Sequence, residues 1–211
     1  MKKLSSTLPM MVLSLGVITI VASCLLGGVY VITKDVIAQA EEKTKVAAIS
    51  EVAPKFDNNP VQDQFVYHAH AGTKDSVTVV VYPAKLGGKL VGAAVESASP
   101  NGFGGMISIM YGFEEDGTIK NFKVLKHTET AGLGAKMEDW FSTKKNNQCV
   151  IGMNPANSDM RVKKDGGDVD AITAATITSR AFLGALNDAF AAYKQLKDNG
   201  NTVKEAQENK K

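Results

Sequence analysis

The chain has 211 residues, with 24 lysines and arginines against 22 aspartates and glutamates. The formal charge of +2 is spread along its length, which argues against a nucleic-acid-binding surface. Its two cysteines, Cys24 and Cys149, are too few for a thiolate-held iron–sulfur cluster or a structural zinc, and Cys24 lies in an apolar run, which removes a structural disulfide in practice.

Residues 1–7 are polar and carry Lys2 and Lys3; residues 8–32 contain no charged side chain. At 1.5 Å per residue that apolar run reaches roughly 37 Å, more than the roughly 30 Å hydrocarbon core of a bilayer, and predicts a membrane-spanning helix. Pro9 falls in the first turn, where a helix tolerates proline, and the Gly27-Gly28 pair is acceptable within a membrane helix. Val21-Ala22-Ser23-Cys24 is similar to a lipoprotein-processing box, but residues 25–32 stay apolar where a mature lipoprotein turns polar, so an uncleaved anchor is expected. Lys2 and Lys3 before the run face Lys34, Lys43 and Lys45 after it, and the lysine bias decides no orientation. Residues 33–60 read as stalk and linker. Val36, Ile37, Ala40 and Val46 keep a helical rhythm, a plain solvated spacer fits equally, and Pro54 with Asp57-Asn58-Asn59-Pro60 ends the pattern.

Residues 61–196 read as one compact domain; roughly 150 residues beyond the stalk suffice for such a core. Strands are predicted at 77–82, 89–95, 106–113 and 119–125, the last two flanking a hairpin turn at Asp116-Gly117. A short helix follows at 137–141. From Ser179 onward Phe182, Leu186, Phe190 and Tyr193 recur at steps of four, four and three, the buried face of a longer helix. Strands ahead of helices favour an α+β fold, a twisted antiparallel sheet with packed helices, over an alternating parallel one. Residues 197–211 form a polar tail. His68 and His70 would share one strand face, but no third metal ligand is recognisable, and the run from Asp165 to Asp170 lacks the spacing of a calcium loop and reads as a turn.

Three stretches remain. Asp170-Ala171-Ile172-Thr173-Ala174-Ala175-Thr176-Ile177-Thr178-Ser179 packs small residues and hydroxyls directly before the long helix. A helix start there offers backbone N–H groups and the positive end of the helix dipole to a phosphate, while the plainer reading makes Thr176 an ordinary N-cap. Asn101-Gly102-Phe103-Gly104-Gly105 has three glycines in four residues; it reads as a flexible turn, or as backbone flat enough to lie against a ring system with Phe103 stacked on it. His127-Thr128-Glu129-Thr130-Ala131-Gly132-Leu133-Gly134 is no dinucleotide fingerprint, because Met137 stands where a third glycine belongs and no βαβ unit follows.

Asp-Ala-Ile-Thr-Ala-Ala-Thr resembles the flavinylation motif of the FMN-binding domain found in the G subunit of Rnf electron-transport complexes and in the related C subunit of the sodium-pumping NADH:quinone reductase. The loop at 127–134 resembles that family's His-x-Glu-Thr-Pro-Gly-Leu-Gly signature, with Ala131 in place of proline, and Ala174 stands where glycine is commoner. Trp140 and the three stretches keep the family's order. The short chain, and Ile177-Thr178-Ser179-Arg180 after the motif, favour the G subunit over the C subunit. The resemblance implies FMN esterified through its phosphate to Thr176, with Asp170, Thr173, Ala174 and Ala175 as recognition context. It further implies Gly104, Gly105, Glu129, Thr130, Gly132 and Leu133 around the isoalloxazine ring. Glu129 so placed would lower the flavin's potential. A separate flavin transferase using FAD and magnesium would make the ester. The other membrane and iron–sulfur subunits of the complex would be the partners, passing electrons between ferredoxin and NAD while sodium ions or protons cross the bacterial inner membrane. The single-pass anchor would leave residues 1–7 in the cytoplasm and the FMN domain on the periplasmic side, a carrier and not a self-sufficient enzyme. A membrane-anchored ligand-binding module or scaffold, with Thr176 a cap, and a stand-alone flavin reductase are the competing classes.

Overall fold

The structure is a computed structural model that describes residues 8–70, 72 and 76–208. Residues 1–7 and 209–211, where the sequence predicts a polar start and the last of a polar tail, lie outside the described residues. The chain divides into two compact units, Met1–Thr44 and Lys45–Lys211.

The first unit is the greater part of helix α1 (Leu8–Val52). Its most apolar 18 residues have a mean hydropathy of 2.3 and none of them is buried, so the helix is long and apolar enough to cross a membrane. The hydroxyls of Ser14, Thr19 and Thr33 donate back to carbonyls three or four residues earlier, so these side chains are satisfied without water.

The second unit is an antiparallel meander covered on both faces. Strands β1 (Phe65–Ala69), β2 (Val77–Leu86), β3 (Lys89–Gly102), β4 (Gly105–Glu114) and β5 (Ile119–Lys126) lie in sequence order in one sheet. In the register Val81↔Val95↔Tyr111, odd-numbered side chains of the central strands point one way and even-numbered ones the other. The odd face, with Val79, Val95, Ile109 and Phe113, packs on helix α3 (Thr176–Glu208) through Phe182, Leu186 and Tyr193. Tyr111 is fully buried there and donates its hydroxyl to the Phe182 carbonyl at 2.8 Å; burial raises that hydroxyl well above its ordinary pKa. The even face, with Tyr82, Ala84, Ala94 and Met110, packs on Ala48, Ile49, Val52 and Ala53 at the end of α1. Contact is close enough that a Cβ at Gly112 would run into the Val52 carbonyl. Burial on both faces is why residues 77–82 read as an apolar run and not as a clean alternation.

The four predicted strands are present and longer. β1, which lies outside that prediction, is a five-residue edge strand paired to β2. It ends at Ala69, and His70 beyond it adopts φ 54° and bonds Asp188 at 3.0 Å, so His68 and His70 do not share a strand face as predicted. The short helix α2 (Met137–Ser142) stands where predicted, its Phe141 ring stacked on Phe182 at 4.3 Å between centroids. Lys163–Asp165 is a single 3-10 turn closed by Gly166 at φ 86°.

Candidate functional site

The hairpin tip between β3 and β4, the loop after β5 and the first turn of α3 meet at one end of the sheet. Gly102 pairs with Gly105, leaving only Phe103 and Gly104 to turn the chain, and Gly105 takes φ 114°, a conformation other residues adopt at a cost. Gly104 lies flat against the loop. The Thr128 carbonyl fills the space a Cβ would need, and the Thr128 hydroxyl donates to the Gly104 carbonyl at 2.7 Å. Of the hairpin's side chains Phe103 is left 70% exposed at its tip.

Glu129 joins all three pieces. Its residue is 8% exposed, one carboxylate oxygen accepts the Gly104 N–H at 2.9 Å, and the other accepts the Thr178 hydroxyl at 2.6 Å. A Cβ at Gly134 would come within 2.5 Å of that second oxygen and 2.6 Å of the Thr178 hydroxyl, so the loop closes over the pair only because residue 134 has no side chain.

The start of α3 is shaped by its own hydroxyls. The Ser179 hydroxyl accepts the Ile172 N–H at 2.9 Å and donates to the Ala175 carbonyl at 3.0 Å, folding the preceding turn back onto the helix. Ala174 passes through the left-handed region at φ 61° to bring Thr176 to the first helical position. The Thr176 residue is half-buried, and among the described residues its hydroxyl has no hydrogen-bond partner. Around it the first N–H groups of the helix lack intrahelical acceptors and the dipole favours negative charge.

These pieces enclose a cavity of about 290 Å³. The hairpin contributes Phe103, the loop Glu129, Thr130, Leu133 and Gly134, and the helix start residues 174–178. Six predicted site residues therefore come together there: Glu129, Thr130, Leu133, Ala174, Ala175 and Thr176. Gly104 stands behind Glu129 through its N–H; Gly105, Gly132 and the exposed Thr173 lie outside the lining. Asp170 also lies outside and acts as a pin. Its carboxylate accepts the Asn147 N–H at 3.0 Å and pairs with Lys163 at 3.0 Å, while its carbonyl accepts the Trp140 indole N–H at 3.0 Å. The hydrogen bond from Lys163 and then the Asn147 amide hold its carboxyl below the ordinary value.

Gly134, Ile177 and Thr178 line the cavity without having been predicted, and Phe103, offered as a residue that stacks on a ring system, lines it too. Thr178 carried a signal: it continues the step of four through Phe182 and Leu186, and a hydroxyl on the apolar face of a helix needs a buried partner. A larger hollow of about 710 Å³, beyond Ile177 between β3 and α3, contains none of the predicted site residues.

The smaller cavity suits a flavin nucleotide. Apolar walls at Phe103, Leu133 and Ile177 suit a flat ring, and the helix start suits a phosphate. Its volume is at the small end of ligand pockets, roughly 300–1,000 Å³, which leaves part of such a ligand outside. The family model of the FMN-binding domain matches residues 102–191, from the hairpin tip through the first half of α3. The chain is 32% identical over 192 residues to the G subunit of the ion-translocating oxidoreductase complex of Pseudoalteromonas atlantica, covering 88% of each chain. It is 32% identical over 191 residues to the protein of that name from Aliivibrio fischeri (86% of this chain, 88% of that one), and 33% identical over 184 residues to the one from Vibrio cholerae (84% and 86%).

Proposed function

The chain belongs to the family of G subunits of ion-translocating oxidoreductase complexes, and from that premise we propose that it holds FMN covalently, the phosphate esterified to Thr176, within an Rnf-type ferredoxin:NAD oxidoreductase. The observation that carries this reading is the convergence of three separate stretches on one cavity that includes Thr176, whose hydroxyl has no other partner among the described residues. FMN can accept two electrons and release them singly, so a bound flavin can bridge other redox centres.

Each residue has a part in holding it. The Thr176 oxygen bonds to the FMN phosphorus as the pyrophosphate bond of FAD breaks, AMP departs and the hydroxyl proton goes to solvent. A separate flavin transferase with magnesium carries out that step. The N–H groups at the start of α3 offset the remaining phosphate charge. Ala174 and Ala175 let the nucleotide approach the backbone. Phe103, Glu129, Thr130 and Leu133 would hold the ring, and Gly104, Gly105 and Gly132 would keep the hairpin and loop thin enough for it. Asp170 and Thr173 are read by the transferase, Asp170 by holding the segment in shape. The ester keeps the carrier attached on the periplasmic side of the inner membrane, with α1 as the single anchor and the membrane and iron–sulfur subunits of the complex as electron partners.

The test is fluorescence of the denatured chain on a gel after co-expression with a flavin transferase, beside Thr176→Val, which keeps the shape and removes the hydroxyl. The parent band should fluoresce and the variant band should be dark. A dark parent, with the transferase active on another substrate, returns the chain to an anchored module that binds no covalent flavin.

A further inference from the structure

The Glu129 carboxylate does more than its place in the cavity wall requires. It is 8% exposed, both of its oxygens accept hydrogen bonds from uncharged donors, the Gly104 N–H at 2.9 Å and the Thr178 hydroxyl at 2.6 Å, and among the described residues no cation pairs with it. Buried carboxylates are ordinarily matched by a cation, because charge removed from water is costly. Here the surrounding backbone has been cleared for it instead. A Cβ at Gly102 would come within 2.6 Å of one oxygen and a Cβ at Gly134 within 2.5 Å of the other.

We propose that Glu129 is a positioning residue that also acts electrostatically. Its carboxylate fixes the hairpin tip and the helix start around the cavity and keeps an uncompensated negative charge there that lowers the potential of a flavin bound beside it. This rests on the FMN reading above. Each electron delivered by a donor adds negative charge to the ring unless a proton follows, and a fixed charge in a poorly solvated wall opposes that addition more strongly than one in water. The two neutral donors hold the carboxylate in place without cancelling its charge, which a lysine or arginine would do.

The experiment is a redox titration with dithionite and mediator dyes on the full chain, purified in detergent after co-expression with a flavin transferase, beside Glu129→Gln and Glu129→Asp. The parent midpoint should lie below that of free FMN in the same buffer. Glu129→Gln should move it to more positive values, and Glu129→Asp, which keeps the charge, should stay nearer the parent. A Gln variant with the parent's midpoint overturns the proposal, as does a parent midpoint at or above that of free FMN. If the Gln variant does not fold, the parent value and the Asp variant decide, and an Asp midpoint risen to that of free FMN counts against the charge. A parent chain without covalent FMN contradicts the ester alone. The titration then runs on the same chain with FMN added, and a chain that binds none overturns both readings.

Discussion

Ala174 sits at φ 61° although it carries a Cβ, and its residue is exposed. The left-handed region costs an alanine about 1–2 kcal/mol and glycine almost nothing, part of which returns as glycine's greater freedom in the unfolded chain. Ala174→Gly should therefore raise stability by about 0.5–1 kcal/mol, read as a higher thermal midpoint; an unchanged or lower midpoint contradicts the strain. The resemblance places glycine at this position, and the backbone angle gives the physical reason. Asp170 supplies a pH-dependent test. Its carboxyl is held below the ordinary value by Lys163 and then by the Asn147 amide, so the folded chain binds that proton more weakly than the unfolded one. Its stabilisation is complete above the unfolded value of about 3.9 and is lost as the pH falls through the lowered native value. Asp170→Asn should lower the urea midpoint near neutrality, and the gap from the parent should close as the pH drops below about 4. A gap that persists in acid would show that the aspartate acts through shape alone. Sequence placed Asp170 and Thr176 in one motif; it could not separate pin from cavity wall, because that depends on Asn147, Lys163 and Trp140, which lie outside the motif.

At the scale of the elements, the end of α1 is part of the second unit's packing. Ile49 is 3% exposed against Tyr82, Ala94 and Met110, and Ile49→Ala should cost about 2–4 kcal/mol in a denaturant titration. A loss below about 1 kcal/mol would mean that this face of the sheet does not depend on the helix. β2 to β5 were legible because the sheet is packed on both faces and its strands are rich in apolar residues, and α3 because it presents one apolar face to the sheet. β1 was not: it is five residues long, lies at the sheet edge and alternates half-buried with exposed positions. The strand placement of His70 failed for a related reason, since the chain turns at Ala69 by a backbone angle that composition does not announce. The hairpin tip was legible as a glycine cluster, but its contact with Glu129 joins residues 25 apart and appears only once β3, β4 and β5 are in register.

For the whole molecule, the two units should separate by truncation. A chain beginning at Lys45 keeps Ala48, Ile49 and Val52 and should be soluble and cooperatively folded without detergent, whereas one beginning at Pro54 lacks that layer and should unfold at lower denaturant. Equal stability of the two would contradict the packing of Ile49 and Val52. The full chain should partition into the detergent phase, and a chain that stays in the aqueous phase would contradict the anchor reading of α1. Whether the chain is a covalent carrier tethered by one helix is decided by peptide mass mapping of the full chain after co-expression with a flavin transferase. One modified peptide is expected, heavier by FMN less one water, with the addition on Thr176 and on neither Thr173 nor Thr178. An unmodified peptide from a preparation whose transferase is active, or an addition on another hydroxyl, would contradict it.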